Sequence, residues 1–272
     1  MIKTDKLPAV SKNKLKKISF LKTKKGRKEE GKFIAEGLRL VKEGLESNYK
    51  CETILVTGEF INKHPGFTDT VEILTEKVFL VTNKDFGKIS STKNPQGIAA
   101  VFQMQENFNS IKLKNEFVVA LEDITEPGNL GTVLRNCAWF GIDEVLISNN
   151  CADVYNPKVL RASMGAVFHL DIFRTKNFYD ELETAKNKGY ELVYTDLNGE
   201  NIFEFSAPKK VIVVFSNEAA GPTQKLKKIA GVSVTIPKYG VMESLNVASA
   251  SAVVLAEITN QKVKKNRKNY YK

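Results

Sequence analysis

From residue 117 onward, short and nearly continuous apolar runs alternate with stretches of helical spacing, and this rhythm restricts the fold more than any other feature of the chain. The runs are FVVAL, EVLIS, VFHLDIF, ELVYTD, KKVIVVF and VSVTI, starting at residues 117, 144, 167, 191, 209 and 232. Candidate helices lie between them at 130–140, 156–163, 178–188, 222–229 and 245–260. Strands that lack polar alternation are buried on both faces, and a strand-then-helix repeat puts helices on those faces. Residues 117–262 are therefore expected to form an α/β domain around a mostly parallel sheet.

Upstream, GKFIAEGLRLVKEGLES has Ile34, Leu38, Val41 and Leu45 at helical spacing and reads as a helix. CETILVTG, KVFLVT and QGIAAVFQ read as strands, which gives a smaller α/β unit over residues 1–103, within the usual size of a domain. The polar, weakly periodic MQENFNSIKLKNE (104–116) is the expected linker, and residues 263–272 the expected basic tail. With 42% hydrophobic residues, a chain of 272 has enough apolar material to bury two modest cores.

The net charge of +10 sits at the ends of the chain. Residues 1–32 carry 12 Lys and Arg against 3 Asp and Glu, residues 262–272 carry 6 and no acid, and the remaining body is left at −5. Basic ends with Phe20, Tyr270 and Tyr271 for stacking suit a polyanion; solvated tails are the plainer alternative. Cys51, Cys137 and Cys151 form no CxxC or Cys/His set, so neither a disulfide framework nor a metal site is expected. His64 and His169 have no catalytic or ligand companions nearby in sequence and read as structural or surface residues. No apolar run approaches the ~20 residues that span a bilayer, and MIKTDKLPAVSKNKLKK lacks the apolar core of a secretory signal. A cytoplasmic protein with no membrane partner is expected.

Three polar stretches interrupt the pattern. In EPGNLGTVLRNCAWFG, Leu130, Val133, Leu134, Cys137 and Ala138 make an apolar helical stripe, while Asn129 precedes it and Arg135 lies off its centre. Free N–H groups and the helix dipole make such a start attractive to an anion, although an N-cap role for Asn129 and a surface role for Arg135 explain the same residues. VIVVFSNEAAGP runs from a strand straight into Ser216, Asn217, Glu218 and Gly221, where open α/β sheets bind their ligands. Pro222 at a helix start accounts for the turn but not for the acid. In IPKYGVMESLNVASASAVV, Ile236 and Pro237 close a strand, Gly240 permits a loop and Ser244 can cap the next helix, which leaves Asn246 without a role. The small residues Ala248–Ala252 fit close packing, an ordinary core helix included. Neither a Walker loop nor GxGxxG occurs, which counts against nucleotide enzymes of those kinds.

In order, these stretches resemble the SpoU (TrmH-like) family of RNA ribose 2′-O-methyltransferases, part of the SPOUT superfamily. Asn129, Gly131 and Arg135 meet its N-x-G-x-x-x-R motif. Glu218 and Gly221 meet G-x-E-x-x-G, with Ser216 where the family usually has glycine, and Ile236, Pro237, Gly240, Ser244, Leu245 and Asn246 meet I-P-x-x-G-x-x-x-S-L-N. RASMGAVFHLDIF looks like the family's central segment, with Asp171 where proline is frequent. The resemblance covers roughly residues 117–260, and FIAEGLRLVKEGL and STKNPQGIAAVF are more weakly similar to the family's substrate-binding domain.

The resemblance implies a C-terminal α/β trefoil-knot (SPOUT) domain with a parallel sheet, a smaller N-terminal α/β substrate-binding domain, a homodimer, and S-adenosylmethionine as cofactor. It implies RNA as substrate, ribosomal RNA in preference to transfer RNA. Ser216, Asn217, Glu218, Gly221, Ile236, Leu245 and Asn246 then border the cofactor. Arg135, Asn129, Glu218, Ser244 and Asn246 form the catalytic set. A guanidinium cannot act as an ordinary base, so Arg135 is expected to pair with the target phosphate and steady charge developing on the ribose oxygen. Asn129 and Glu218 orient it, and Ser244 and Asn246 hold the ribose. The alternatives are a transfer-RNA methyltransferase, an RNA-binding assembly factor without methyl transfer, and a different nucleotide-using α/β enzyme.

Overall fold

The computed structural model describes residues 7–67, 77–105 and 111–270, the last six as backbone only. The chain forms two compact units, one of Met1–Glu106 with Tyr155–Phe168 and one of Asn107–Val154 with His169–Lys272.

In the first unit, α1 (Lys12–Phe20) and α2 (Lys24–Glu30) precede β1 (Lys32–Glu36), α3 (Leu38–Leu45), β2 (Cys51–Val56), α4 (Gly58–Lys63), β3 (Val78–Leu80), α5 (Asn83–Ile89) and β4 (Ile98–Gln103). The sheet order is β1-β4-β2-β3, antiparallel on both sides of β4 and parallel between β2 and β3. Two expectations change here. The stretch expected as a helix from residue 31 begins as a strand: Phe33, Ile34 and Ala35 are buried in β1, and Gly37, at φ 101°, separates it from α3. A short apolar run fits strand or helix equally, and pairing with β4 decides it.

The basic leader, moreover, is not a solvated tail. Ser11 and Thr23 cap α1 and α2, and Leu15, Ile18 and Leu21 enter a cluster with Leu55, Phe86 and Ile89. The buried Arg27 guanidinium donates to the carbonyls of Leu21 and Lys22, both at 3.0 Å. Lys16, Lys17, Lys24 and Lys28 stay exposed. The leader is therefore both a structural part of this unit and a lysine-rich surface of it.

The second unit contains β5 (Phe117–Glu122), α6 (Pro127–Trp139) and β6 (Glu144–Ser148); α7 (Pro157–Ser163) groups with the first unit. β7 (Asp171–Thr175), α8 (Phe178–Asn187), β8 (Glu191–Asn201), β9 (Val211–Ser216), α9 (Gln224–Ile229), β10 (Val232–Thr235) and α10 (Val247–Tyr270) follow. The strands lie in the order β10-β8-β9-β5-β6-β7 with every pair parallel. Val118, Ala120, Ile212 and Val214 pack with Phe178, Leu182 and Leu226, while Val119, Leu121, Val213 and Phe215 on the opposite face are equally buried. That is the reason these strands read as unbroken apolar runs.

VFHLDIF is not one strand. Met164 and Gly165 take positive φ at the end of α7, Ala166–Phe168 form a 3-10 turn, and β7 starts only at Asp171, opposite Glu144. The last helix runs past residue 260 to Tyr270, so most of the basic tail continues it, and Tyr271 lies outside the described residues. Within the expected linker, residues 106–110 also lie outside them; Lys114 and Asn115 donate their backbone N–H groups to the buried Glu144 carboxylate at 2.8 Å. Among the described residues no helix is long and apolar enough to cross a membrane.

Candidate active site

β5 and β9 are neighbours in register, Glu122 opposite Ser216, so the segments leaving their carboxyl ends emerge side by side. The first leads into α6, whose cap is Glu126: its Oε2 accepts from the Asn129 N–H at 2.7 Å. Asn129 is thus not the N-cap but the third helical residue, with its side chain free for other partners. Its Nδ2 donates to Glu218 Oε1, and its Oδ1 accepts from Asn246 Nδ2 at 3.1 Å. Asn246 Nδ2 also lies 3.4 Å from Glu218 Oε1, while Asn246 Oδ1 accepts from the Ala248 N–H at 2.8 Å. Asn246 therefore supplies the cap expected from Ser244, and the same amide reaches into the polar cluster. One residue from each of the three stretches meets here, across separations of 89 and 117 positions.

Beside this cluster lies a cavity of about 400 Å³. Ser216, Asn217, Glu218, Gly221, Ile236, Ser244 and Leu245 border it, joined by Leu197, Val234 and Val247. Asn129, Arg135 and Asn246 are not on its wall. The Asn217 side chain folds the loop after β9, accepting from the Ala219 and Ala220 N–H groups at 2.9 and 3.1 Å and donating to the Asp123 carbonyl at 3.1 Å. Gly221 closes this turn onto the Asn217 carbonyl at φ 65°, a conformation that favours glycine. The structure does not join Arg135 to the cluster. It is exposed on α6, on the same side as Trp139 one turn later, and no hydrogen bond or ion pair links it to Asn129, Glu218 or Asn246.

Three further side chains shape the site. Asn136 Nδ2 donates to the Ala248 carbonyl at 3.0 Å and to Ser251 Oγ at 2.9 Å, tying α6 to α10; nothing in the local sequence pattern singled it out. Asp196, on the cavity wall, pairs with Lys227 at 2.7 Å. Burial alone would raise its carboxyl pKa, but the hydrogen bond and charge of Lys227 hold it below the ordinary value. Glu122 is buried at the end of β5 and accepts from Ser216 Oγ at 2.7 Å and Tyr179 OH at 2.8 Å. Burial, with the Glu122 charge adding to it, pushes the Tyr179 phenol up to about 12. The signal for Glu122 and Asp196 was an acid closing an apolar strand.

Residues 116–256 match the SpoU rRNA Methylase family, and residues 12–100 match the MRM3-like substrate binding domain. The chain is 32% identical over 243 residues to the 23S rRNA (guanosine(2553)-2′-O)-methyltransferase RlmP of Bacillus subtilis, covering 89% of this chain and 94% of that protein. It is 25% identical over 253 residues to a 23S rRNA (uridine(2479)-2′-O)-methyltransferase of Streptomyces viridochromogenes, covering 90% and 88%. A crystal structure of AdoMet-bound rRNA methyltransferase from Sinorhizobium meliloti superimposes with a TM-score of 0.80 at 28% identity, over 93% of this chain and 97% of that one.

Proposed function

This chain belongs to the SpoU rRNA methylase family, and from that premise we propose that it transfers the methyl group of S-adenosylmethionine to a ribose 2′-hydroxyl of ribosomal RNA. The observation that carries the proposal is the meeting of Asn129, Glu218 and Asn246 beside a cavity lined by residues of the same motif stretches. At about 400 Å³ the cavity is within the usual ~300–1,000 Å³ range of small-ligand sites. Leu197, Ile236 and Leu245 offer apolar surface for a base, and the loop from Ser216 to Gly221 offers backbone and polar groups for the rest of a nucleoside. The residues present fit the cofactor, which supplies an electrophilic methyl when bound.

The chain's own work is then to bring the hydroxyl into line and manage charge, because alignment replaces most of the entropy cost of a bimolecular step. Arg135 holds the target phosphate and steadies negative charge on the ribose oxygen; Asn129 and Glu218 orient the reacting groups, and Ser244 and Asn246 border the ribose. Phosphate or solvent takes the proton. The first unit, with its lysine-rich α1 and α2, selects the RNA; its match to a substrate binding domain supports this.

The proposal includes a homodimer, a trefoil-knotted path through the C-terminal sheet and a cytoplasmic location. Self-association is supported by the exposure of large apolar side chains, with Trp139, Tyr239, Val241 and Met242 at 82%, 94%, 95% and 73%. Arg135 shares the Trp139 side of α6, so a second copy covering that side would enclose it. The knot is supported by the all-parallel sheet in which β9 lies between β5 and β8.

The deciding experiment is transfer of labelled methyl from S-adenosylmethionine to total RNA from a strain lacking the protein, followed by mapping of 2′-O-methyl positions. One labelled ribosomal ribose is the expected result. Label on transfer RNA would move the substrate, and cofactor binding without label on any RNA would favour an RNA-binding assembly role.

A further inference from the structure

Ser216, the departure from the family's glycine, sits in an arrangement that no motif describes. Its hydroxyl donates to Glu122 Oε2 at 2.7 Å. The same carboxylate, only 1% exposed, accepts from the Thr223 N–H at 3.2 Å, Thr223 Oγ1 at 2.6 Å and Tyr179 OH at 2.8 Å. Thr223 in turn caps α9, accepting from the Leu226 N–H at 3.1 Å. A carboxylate offers about four acceptor positions, and here all are taken by groups that can only satisfy it as donors. Ser216 and Thr223 are the two ends of the loop that lines the cavity. One buried group therefore fastens the entry and the exit of that loop, with Glu218 between them.

We propose that Glu122 is a positioning residue for the cofactor loop and that Ser216 is its partner, so that the serine strengthens cofactor binding. This rests on the reading of the cavity as the S-adenosylmethionine site. A glycine at 216 would leave Glu122 one donor short, and a buried acceptor without its partner pulls on whatever else it holds. A glutamine at 122 would present N–H groups to Ser216, Thr223 or Tyr179, all of which are donors in this arrangement.

The test uses the full chain and two readouts. The first is equilibrium binding of S-adenosylmethionine to wild type, S216G, S216A, S216T and E122Q, at a temperature where each is folded. S216G and S216A are each expected to weaken binding about tenfold, by the order of one buried hydrogen bond. S216T, which keeps the hydroxyl, should stay within about twofold of wild type. E122Q combined with S216A should weaken binding by less than the sum of the two, because both break the same hydrogen bond. The second readout is amide hydrogen exchange in the ligand-free protein, where residues 217–223 should exchange about tenfold faster in S216A and E122Q with the central strands unchanged.

Tighter or equal cofactor binding by S216G would overturn the proposal. Unchanged exchange in both S216A and E122Q would do the same, and so would faster exchange with unchanged affinity, which would leave the hydrogen bond purely structural. If wild type binds no S-adenosylmethionine, the functional reading fails on its own, and hydrogen exchange still judges the clamp.

Discussion

Asn246→Asp separates the two tasks that one amide performs. Asp caps helices about as well as Asn, so the bond from the Ala248 N–H to the remaining oxygen should survive and the cap's own contribution to stability should change by less than about 0.5 kcal/mol. The other half of the side chain changes from donor to anion. It gives up its bonds to Asn129 Oδ1 and Glu218 Oε1 and places a second carboxylate at the 3.4 Å separation from Glu218. A hydrogen bond to a charged group contributes about 1.5–3 kcal/mol, and the exposure of this cluster argues for the lower end. Repulsion in a water-like surrounding adds about 1 kcal/mol at this range. Together these displace the cluster by about 2.5 kcal/mol, or roughly seventyfold in methyl transfer if its geometry is needed in the transition state. Single-turnover transfer to RNA and thermal unfolding of the same samples measure the two effects separately. Asn246→Ala, which removes the cap as well, should also lose about 1 kcal/mol of stability. Activity of Asn246→Asp within twofold of wild type would refute the reasoning.

Other outcomes follow from the same geometry. Reversing the exposed Lys16, Lys17 and Lys24 to Glu should weaken RNA binding and lower its salt slope by about 0.7–0.9 for each RNA phosphate that is no longer neutralised, without unfolding α1 or α2; an unchanged slope removes the leader from the RNA surface. Deleting the leader is the poorer test, because Leu15, Ile18 and Leu21 belong to the core of its unit. Trp139→Ser should leave the melting temperature in place and shift sedimentation toward monomer, and a dimer that persists unchanged at micromolar concentration would place the interface elsewhere. The Asp196 carboxyl is held below its usual 3.8, so its stabilising contribution is present above that pH and is lost as pH falls through the lower folded value. Asp196→Asn is therefore expected to be less stable at neutral pH with a shallower loss below about pH 4, and superimposable pH–stability curves would contradict it.

Much of the architecture was legible locally. Unbroken apolar runs such as EVLIS marked β6 at Glu144–Ser148, and the polar interruptions marked where chain leaves the sheet. Periodicity is a property of neighbours, and it served wherever one face or two faces of an element are buried along its whole length. It failed at Lys32–Glu36, where the choice between helix and strand belongs to β4, more than sixty residues away. It also failed at 167–170, where the positive φ of Met164 and Gly165 turns the chain before β7 can begin.

The candidate site divides along the same line. Glu218 and Asn246 stood out in sequence as polar residues that local structure left unexplained, and Asn129 as one that an N-cap role would also explain, but only strand order brings the three together. Which residue caps each helix was decided the same way: Glu126 and Asn246 took the caps, freeing the Asn129 side chain and leaving Ser244 on the cavity wall. The role of Ser216 was least readable of all, since its partner lies 94 positions earlier and is visible only because β5 and β9 are adjacent. The sequence by itself determined the alternation that makes a parallel sheet and the chemical groups at its strand ends. The tertiary structure alone decided which of those groups touch, because hydrogen bonds between them are set by the order of strands across the sheet, and that order is not a local property of the chain.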